Sequence, residues 1–349
     1  MRSVILVMLA LALATLSEEP GSAKDDVPAA SMEVRGISLA HLHRRGFGYG
    51  SEECRKQLGT ISEVGANWVA LNNFAYMENV NQPAVRFGGD GSMGAKDITQ
   101  CVQDAHAAGL KVLLKPHLWA REFWNGSKWH GDIAMTSEED WEKWFENYGA
   151  YILYTAKIAA DAKAEAVCIG VEYEGTSQQA GRWRKLIAAV RKIYTGHLTY
   201  AATFREYEKI TWWDAVDCIG IDAYFPVAKS ESAPEAELRA GWDEVYAALG
   251  TFSKKWSKPI CFLELGYTQD TKAGKEPWSY AVKQADAEYQ ARLFKVAAEE
   301  ERKHDFMRGL FVWKWFTSTD WQRMEGHDTF CVQDNGKVID VLKGEWKAK

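Results

Sequence analysis

Short runs of aliphatic and β-branched residues alternate with longer amphipathic stretches from residue 33 onward. The short runs have the length and composition of buried β-strands, and the stretches between them carry apolar residues at helical spacing. The predicted strands cover residues 34–40, 68–73, 111–117, 166–172, 198–203, 218–224, 259–265 and 309–315. The clearest predicted helices cover residues 98–108, 138–162, 182–194, 235–252 and 285–301.

A strand followed by a helix, repeated eight times, is the pattern of a (β/α)8 TIM barrel. We therefore predict a single α/β domain over residues 33–349, because no linker or internal repeat divides this part of the chain. A doubly wound open sheet is the alternative, but that fold carries a glycine-rich phosphate loop after its first strand. Here the first strand runs into His41-Leu-His-Arg-Arg-Gly, which lacks that glycine spacing.

The N-terminus has the pattern of a secretory signal. Arg2 precedes an apolar run over residues 4–13, which is too short to span a bilayer. Small residues between 14 and 23 suit a cleavage site, so we predict a signal peptide over 1–23 and a flexible leader over 24–32. The protein is then expected outside the cell or in the periplasm. A retained N-terminal anchor is the alternative.

The six cysteines of an exported chain raise the question of disulfide bonds. Cys54 and Cys101 fall on two consecutive predicted helices and are placed to pair. Three others lie inside apolar runs and are expected to be small core residues: Cys168, Cys218 and Cys261. Cys331 has no assignment.

Charge and composition narrow the range of functions. The chain has 42 Lys and Arg against 48 Asp and Glu, a net charge of -6, and no basic stripe that would suit a phosphate backbone. We expect no nucleic-acid partner, no membrane contact after signal cleavage, and a monomer. The 16 tryptophans are more than a core of this size needs, which favours a ligand with flat faces.

In a barrel of this kind the chemistry lies at the carboxyl ends of the strands. Glu172 closes the fourth predicted strand and Glu264 the seventh, on opposite sides of the barrel mouth. Two carboxyl groups about 5 to 5.5 Å apart serve a retaining glycosidase as nucleophile and acid/base. An ion pair at the rim is the structural alternative for either residue. Glu174 competes with Glu172, but the apolar run stops at 172 and Gly175 begins the loop.

At these residues the chain resembles a known family, the (β/α)8 β-mannanases of glycoside hydrolase family 113. The similar segments run through nearly the whole chain after the leader. They include Gly109-Leu-Lys-Val-Leu-Leu-Lys-Pro-His117, Ile169-Gly-Val-Glu172, Ile219-Gly-Ile-Asp-Ala-Tyr224, Lys258-Pro-Ile-Cys-Phe-Leu-Glu264 and Trp313-Lys-Trp-Phe. The resemblance implies retaining cleavage of β-1,4-mannosidic bonds in mannans or manno-oligosaccharides without a cofactor. It also implies that Glu172 is the acid/base and Glu264 the nucleophile.

The chain departs from the family pattern near the expected sugar site. Many relatives place Asn directly before the acid/base to hold the sugar's 2-hydroxyl, and this chain has Val171. Trp129-His130-Gly131 stands where the family usually has Trp-Arg-Gly, and Thr203 stands where Asn is expected. A β-glycosidase of the same clan with another sugar preference is therefore an alternative.

Other side chains at the strand ends are candidates for the substrate site. Tyr224 is placed to donate a hydrogen bond to the Glu264 carboxylate and keep it ionised. Trp313 and Trp315 alternate with Phe311 on the eighth strand, so all three are expected on one face, as a floor under the sugar. The remaining candidates for substrate contact are Asn72, His117, Trp119, Trp129 and Asp222. Trp119 and Trp129 belong to a long loop, 119–133, in which Asn125-Gly126 suggests a hairpin turn.

Two rival functions are open at this point. The first rival is a metal-dependent hydrolase, because His41 and His43 after the first strand match a metal-binding pair. A catalytic zinc usually takes three protein ligands. The ends of the fifth and sixth strands offer Thr203 and Tyr224 instead of a further histidine. We therefore predict no metal. A non-catalytic sugar-binding barrel would keep the tryptophans, but the presence of both glutamates favours an enzyme.

Overall fold

The computed structural model describes residues 33–88, 93–325 and 328–347. The predicted signal peptide (1–23) and leader (24–32) lie outside these residues. The strands in the described part of the chain are β1 (Val34–Ala40), β2 (Trp68–Leu71), β3 (Phe74–Met77), β4 (Lys111–Leu114), β5 (His117–Ala120), β6 (Ala166–Val171), β7 (His197–Thr203), β8 (Cys218–Asp222), β9 (Ile260–Leu265) and β10 (Met307–Phe316).

Eight of the described strands close into a barrel, and every neighbouring pair is parallel. The order around the barrel is β1-β2-β4-β6-β7-β8-β9-β10, and β10 closes on β1. β3 and β5 pair with each other as a short parallel sheet that continues the paths of β2 and β4. Because the order is that of the chain, consecutive strand ends are neighbours around one mouth of the barrel.

The helices that follow the strands are α1 (Glu52–Val64), α2 (Ala95–Ala107), α3 (Glu138–Ala162), α4 (Glu174–Ser177), α5 (Ala180–Arg191), α6 (Glu235–Trp256), α7 (Ala287–Glu301), α8 (Trp321–Glu325) and α9 (Gly336–Lys347). Ser51, Ser137 and Asp286 cap α1, α3 and α7 by accepting a backbone N–H three residues further on. Among the described residues, no helix has both the length and the hydropathy needed to cross a bilayer.

Much of the tryptophan surplus belongs to the core. The largest fully buried side chains include Trp68, Trp144, Trp183, Trp212, Trp213, Trp242, Trp315 and Trp321. Several of them stack in pairs, such as Trp183 on Trp212 with ring centroids 5.2 Å apart. These side chains pack the interior and present no face to a ligand.

The predicted (β/α)8 barrel is confirmed, and each predicted strand overlaps a barrel strand. The third predicted strand, 111–117, is interrupted. Pro116 has no N–H to continue the ladder, so β4 ends before it and His117 begins β5.

The described cysteines are free thiols. The sulfur atoms of Cys54 on α1 and Cys101 on α2 lie 3.6 Å apart in the core without a bond between them. Cys168 and Cys261 are buried in strands, as the sequence predicted, and Cys218 is partly buried.

Candidate active site

A cavity of about 710 Å³ opens at the carboxyl ends of the barrel strands. Its wall includes residues at the end of a strand or just after one: Ala40, Asn72, Glu172, Thr203, Tyr224 and Glu264. Further parts of the wall come from the loop that follows β5, from the loop 266–286 after β9, and from Trp313, Lys314 and Phe316 of β10. The volume falls in the range of pockets that bury a small ligand, about 300 to 1,000 Å³.

Glu172 directly follows β6 and lies on the cavity wall. Its φ is 59°, in the left-handed region that non-glycine residues rarely adopt. The surrounding backbone holds this turn, since the N–H of Glu172 donates to the carbonyl of Ala201 at 2.7 Å and the N–H of Tyr173 to the hydroxyl of Tyr200 at 2.9 Å. Backbone strain of about 1 to 3 kcal/mol is typical of functional sites.

Both oxygens of the Glu264 carboxylate accept a hydrogen bond. The Tyr224 hydroxyl donates to Oε2 at 2.7 Å, which is the contact that the sequence predicted. The Lys115 ammonium donates to Oε1 at 2.6 Å. These two donors fix the orientation of the Glu264 carboxylate on the cavity wall.

Two of the three carboxyl groups at this place share one ammonium group. Lys115 contacts Glu264 and, at 3.1 Å, Oδ1 of Asp222. Within the described ranges, no Lys or Arg lies at ion-pair distance from Glu172. Burial, together with the negative charges of Asp222 and Glu264, raises the pKa of Glu172 well above its usual value. A carboxylic acid that keeps its proton beside an ionised carboxylate is the arrangement that separates a proton donor from a nucleophile.

Glu174 differs from Glu172 in having a counter-ion. It is the first residue of α4 and forms an ion pair with Lys209. It also lies on the cavity wall. Among the described residues, the glutamate of this segment that has no positive partner is therefore Glu172.

Four side chains of the cavity wall carry buried polar atoms that have no hydrogen-bond partner among the described residues: Asn72, His117, Trp119 and His130. Burial, followed by the charge of Lys115, lowers the pKa of His117 well below its usual value and that of His130 to about 4. Both imidazoles are therefore neutral at pH 7. Neutral imidazole and amide groups donate and accept hydrogen bonds, as a polyhydroxylated ligand requires.

Aromatic rings supply flat faces to the same cavity. Trp313 stacks on His117, with centroids 6.1 Å apart and planes 22° apart. Trp119 and Trp129 also lie on the wall, as predicted. The predicted hairpin at Asn125-Gly126 is wrong, because these residues end the 3₁₀ turn Arg121–Asn125, and Gly126 takes the left-handed φ of 68° that stops it.

The sequence pattern of Glycoside Hydrolase Family 113 matches residues 37–335, which is most of the chain. The chain belongs to glycoside hydrolase family 113. It is accordingly a glycoside hydrolase. A comparison with curated proteins finds no match.

Solved structures of family 113 enzymes share the fold over their whole length. A family 113 β-mannanase from Alicyclobacillus acidocaldarius, solved in complex with ManMIm, is 27% identical with a TM-score of 0.80, covering 92% of this chain and 99% of that one. A complex of a family 113 β-1,4-mannanase is 24% identical, also with a TM-score of 0.80, and the match covers 91% and 100% of the two chains. A β-glucuronidase from Ruminococcus gnavus shares only the fold, at 13% identity and a TM-score of 0.60, covering 90% of this chain and 50% of that one.

Asp222 is not on the cavity wall of this family 113 enzyme, so its prediction as a substrate contact is corrected. Its side chain is 0% exposed and its Oδ1 atom accepts from Lys115. Tyr224, two residues further on, does reach the cavity. Asp222 belongs to the layer of side chains beneath the wall.

The prediction that Trp315 contacts the substrate is corrected in the same way. Its indole N–H donates to Oε1 of Gln57 on α1 at 2.9 Å, and its ring is buried between the barrel and that helix. Phe311 is also buried and does not line the cavity. Of the three aromatic residues expected to form a floor on β10, Trp313 alone reaches the wall.

The histidine pair after β1 lies on the cavity wall with its rings 4.8 Å apart. His41 accepts the N–H of Tyr49 at Nδ1, and burial, followed by the neighbouring His43, lowers the pKa of His41 to about 3. In the described part of the chain, no group of three or more His, Cys, Asp or Glu residues is arranged to hold a metal ion.

Lys115 is one of the residues of the site that the sequence analysis missed. The signal was present, because a lysine that follows four strand residues, three of them apolar, needs a buried negative partner. His130 was noted only as a departure from the family pattern, and its burial against His117 depends on how the loop folds. Arg205 and Trp278, also on the wall, come from loops whose paths the sequence pattern does not indicate.

Proposed function

We propose that this family 113 enzyme is a retaining β-mannanase that cleaves β-1,4-mannosidic bonds. The observation that supports this proposal is the contrast between two glutamates on one cavity. Glu264 accepts hydrogen bonds from Lys115 and Tyr224, whereas Glu172 has no cationic partner among the described residues and a raised pKa. One carboxyl group is thus prepared as an anion and the other as an acid.

The first chemical step uses both groups. Glu264 attacks the anomeric carbon, and Glu172 gives its proton to the departing glycosidic oxygen, so that a glycosyl-enzyme forms and the leaving sugar departs. In the second step Glu172, now ionised, takes a proton from water, and the water attacks the anomeric carbon and releases Glu264. Two inversions at the same carbon give net retention of the anomeric configuration.

The wall around the two glutamates suits a sugar ring. Asn72, His117 and His130 offer unpaired donors and acceptors to hydroxyl groups, and Trp313 offers an apolar face. The two solved family 113 enzymes that act on mannans support mannose as the sugar. We further propose that the enzyme is exported, as its N-terminal pattern predicts.

Hydrolysis of β-1,4-manno-oligosaccharides by the purified protein tests the proposal. We expect turnover with retention in a proton NMR time course. Glu172→Gln should lose about 10² to 10⁴-fold in kcat on these substrates, and Glu264→Gln should lose turnover completely. Glu139→Gln, on the exposed start of α3, is the matched control and should behave like the wild type.

An activated dinitrophenyl glycoside separates the two roles. Its leaving group needs no proton, so Glu172→Gln should still release a burst of dinitrophenol and then stall, while Glu264→Gln should release none. Cello- and xylo-oligosaccharides tested in parallel decide the sugar preference. Inverted first product, or binding of manno-oligosaccharides without any cleavage, would contradict the proposal and favour the carbohydrate-binding alternative.

A further inference from the structure

Lys115 lies beneath the cavity with all its hydrogen-bonding capacity used. Its ammonium group donates to Oε1 of Glu264 at 2.6 Å, to Oδ1 of Asp222 at 3.1 Å and to the carbonyl of Leu263 at 3.4 Å. The side chains of Lys115 and Asp222 are both 0% exposed. An ammonium group has three donors, so Lys115 has none left for a substrate.

The contact joins distant parts of the barrel. Lys115 follows β4, whereas Asp222 ends β8 and Glu264 lies on β9. Two strands, β6 and β7, stand between β4 and β8 around the barrel. The long lysine side chain therefore passes through the barrel interior, which apolar side chains usually fill. Taking these charges out of water is costly, and apolar side chains of similar volume often replace buried ion pairs without loss of stability, which favours a functional role for the charges.

We propose that Lys115 and Asp222 are a pair of positioning residues for the nucleophile. Asp222 holds the ammonium group in place, and the ammonium group fixes the orientation of the Glu264 carboxylate. Neither residue touches the substrate, so both act through Glu264. The inference rests on the proposed function, because it assigns the means by which the attacking carboxylate is held.

The charges around Lys115 and Asp222 allow the proposal to be tested through the pH dependence of activity. The titratable groups that interact with this pair from the neighbouring strands and loops are Glu264, Glu172, Glu206, Tyr224, Cys168, Cys261, His117 and His130. Loss of the Lys115 charge makes both Glu264 and Glu172 harder to ionise, whereas loss of the Asp222 charge makes both easier to ionise. The two variants therefore shift the pH profile in opposite directions.

The experiment compares three variants with the wild type. Two are the single substitutions Lys115→Met and Asp222→Asn. The third is an apolar double variant that carries both Lys115→Met and Asp222→Leu. The double variant leaves no uncompensated charge of the pair and should fold even if a single variant does not. Lys111→Met, at the exposed start of β4, removes a lysine charge far from Glu264 and serves as the control. Circular dichroism and melting curves check folding.

We expect the acidic limb of kcat/KM to move to higher pH in Lys115→Met and the alkaline limb to lower pH in Asp222→Asn. The burst rate with the dinitrophenyl glycoside, which reports the attack of Glu264 alone, should fall at least tenfold in Lys115→Met and in the double variant, with KM within about twofold of the wild type. A double variant that folds and reacts within twofold of the wild type, with unmoved pH limits, overturns the inference while the proposed function stands. A wild-type protein without hydrolytic activity overturns both.

Discussion

Trp313 and Trp315 are two positions apart on β10, yet their side chains have opposite surroundings. The pairing of β1 with β10 advances by two residues on β1, from Ile37 to Leu39, and by three on β10, from Val312 to Trp315. An extra residue of this kind is a β-bulge, and it reverses the inward and outward alternation beyond it. Trp313 therefore lines the cavity and Trp315 packs against α1.

Replacing each tryptophan by phenylalanine distinguishes the cavity residue Trp313 from the packing residue Trp315. Trp315→Phe removes the hydrogen bond to Gln57 and leaves a void in a packed layer, so we expect a loss of about 1 to 3 kcal/mol in the free energy of unfolding and no change in kcat/KM. Trp313→Phe should do the reverse and lower kcat/KM with little loss of stability. Urea denaturation and initial rates measure the two quantities. Equal effects of both variants on kcat/KM would contradict this division.

The same residues show how much of the site can be predicted from the sequence. Glu172, Glu264 and Tyr224 were predictable because each lies at the carboxyl end of an apolar run, and the barrel brings such ends together. The burial of Trp315 was not predictable, because one inserted residue in a pairing leaves no mark in the hydrophobic pattern. Lys115 was predictable as a buried charge, but its two partners depend on which strands face each other across the closed barrel.

At the scale of elements, a buried carboxyl group ties the end of β7 to the backbone next to Glu172. Oε1 of Glu206 accepts the hydroxyl of Tyr200 at 2.8 Å, and Oε2 accepts the N–H of Thr203 at 3.2 Å. The Tyr200 hydroxyl in turn accepts the N–H of Tyr173, the residue after Glu172. Burial raises the pKa of Glu206 from 4.5 to about 7, although these hydrogen bonds oppose the shift.

This raised pKa makes stability depend on pH. Between pH 4.5 and about 7 the folded state holds the proton of Glu206 more tightly than the unfolded chain does, so stability falls as the pH rises through this window. The loss is at most about 3 kcal/mol. We expect Glu206→Gln, which keeps an acceptor for Tyr200, to flatten this part of the curve of unfolding free energy against pH. The exposed Glu208→Gln is the control, and a Glu206→Gln curve with the wild-type slope would contradict the assignment.

At the scale of the molecule, the exposed apolar surface is concentrated at the cavity. Among the described residues, four of the five exposed large hydrophobic side chains lie on its wall: Trp124, Trp129, Trp278 and Tyr280. Trp124 and Trp129 belong to the loop that follows β5, above β4, and Trp278 and Tyr280 to the loop that follows β9. β4 and β9 are opposite each other in the ring of eight strands. Aromatic platforms therefore lie on opposite sides of the cavity, an arrangement that suits the extended polysaccharide chain proposed as the substrate.

Kinetics and product sizes with oligosaccharides of different length test this arrangement. Trp124→Ala and Trp278→Ala each remove one platform and leave Glu172 and Glu264 unchanged. We expect either variant to raise KM for mannohexaose about three- to tenfold, because one stacked ring contributes about 1 kcal/mol. The shortest cleaved oligosaccharide, which does not reach both platforms, should lose affinity in at most one variant. Because each variant weakens a different side of the cavity, the product sizes from mannohexaose should shift in opposite directions. Ile193→Ala, equally exposed but away from the cavity, is the control. Product patterns that shift in the same direction in both variants would place the two platforms on one side of the cleaved bond.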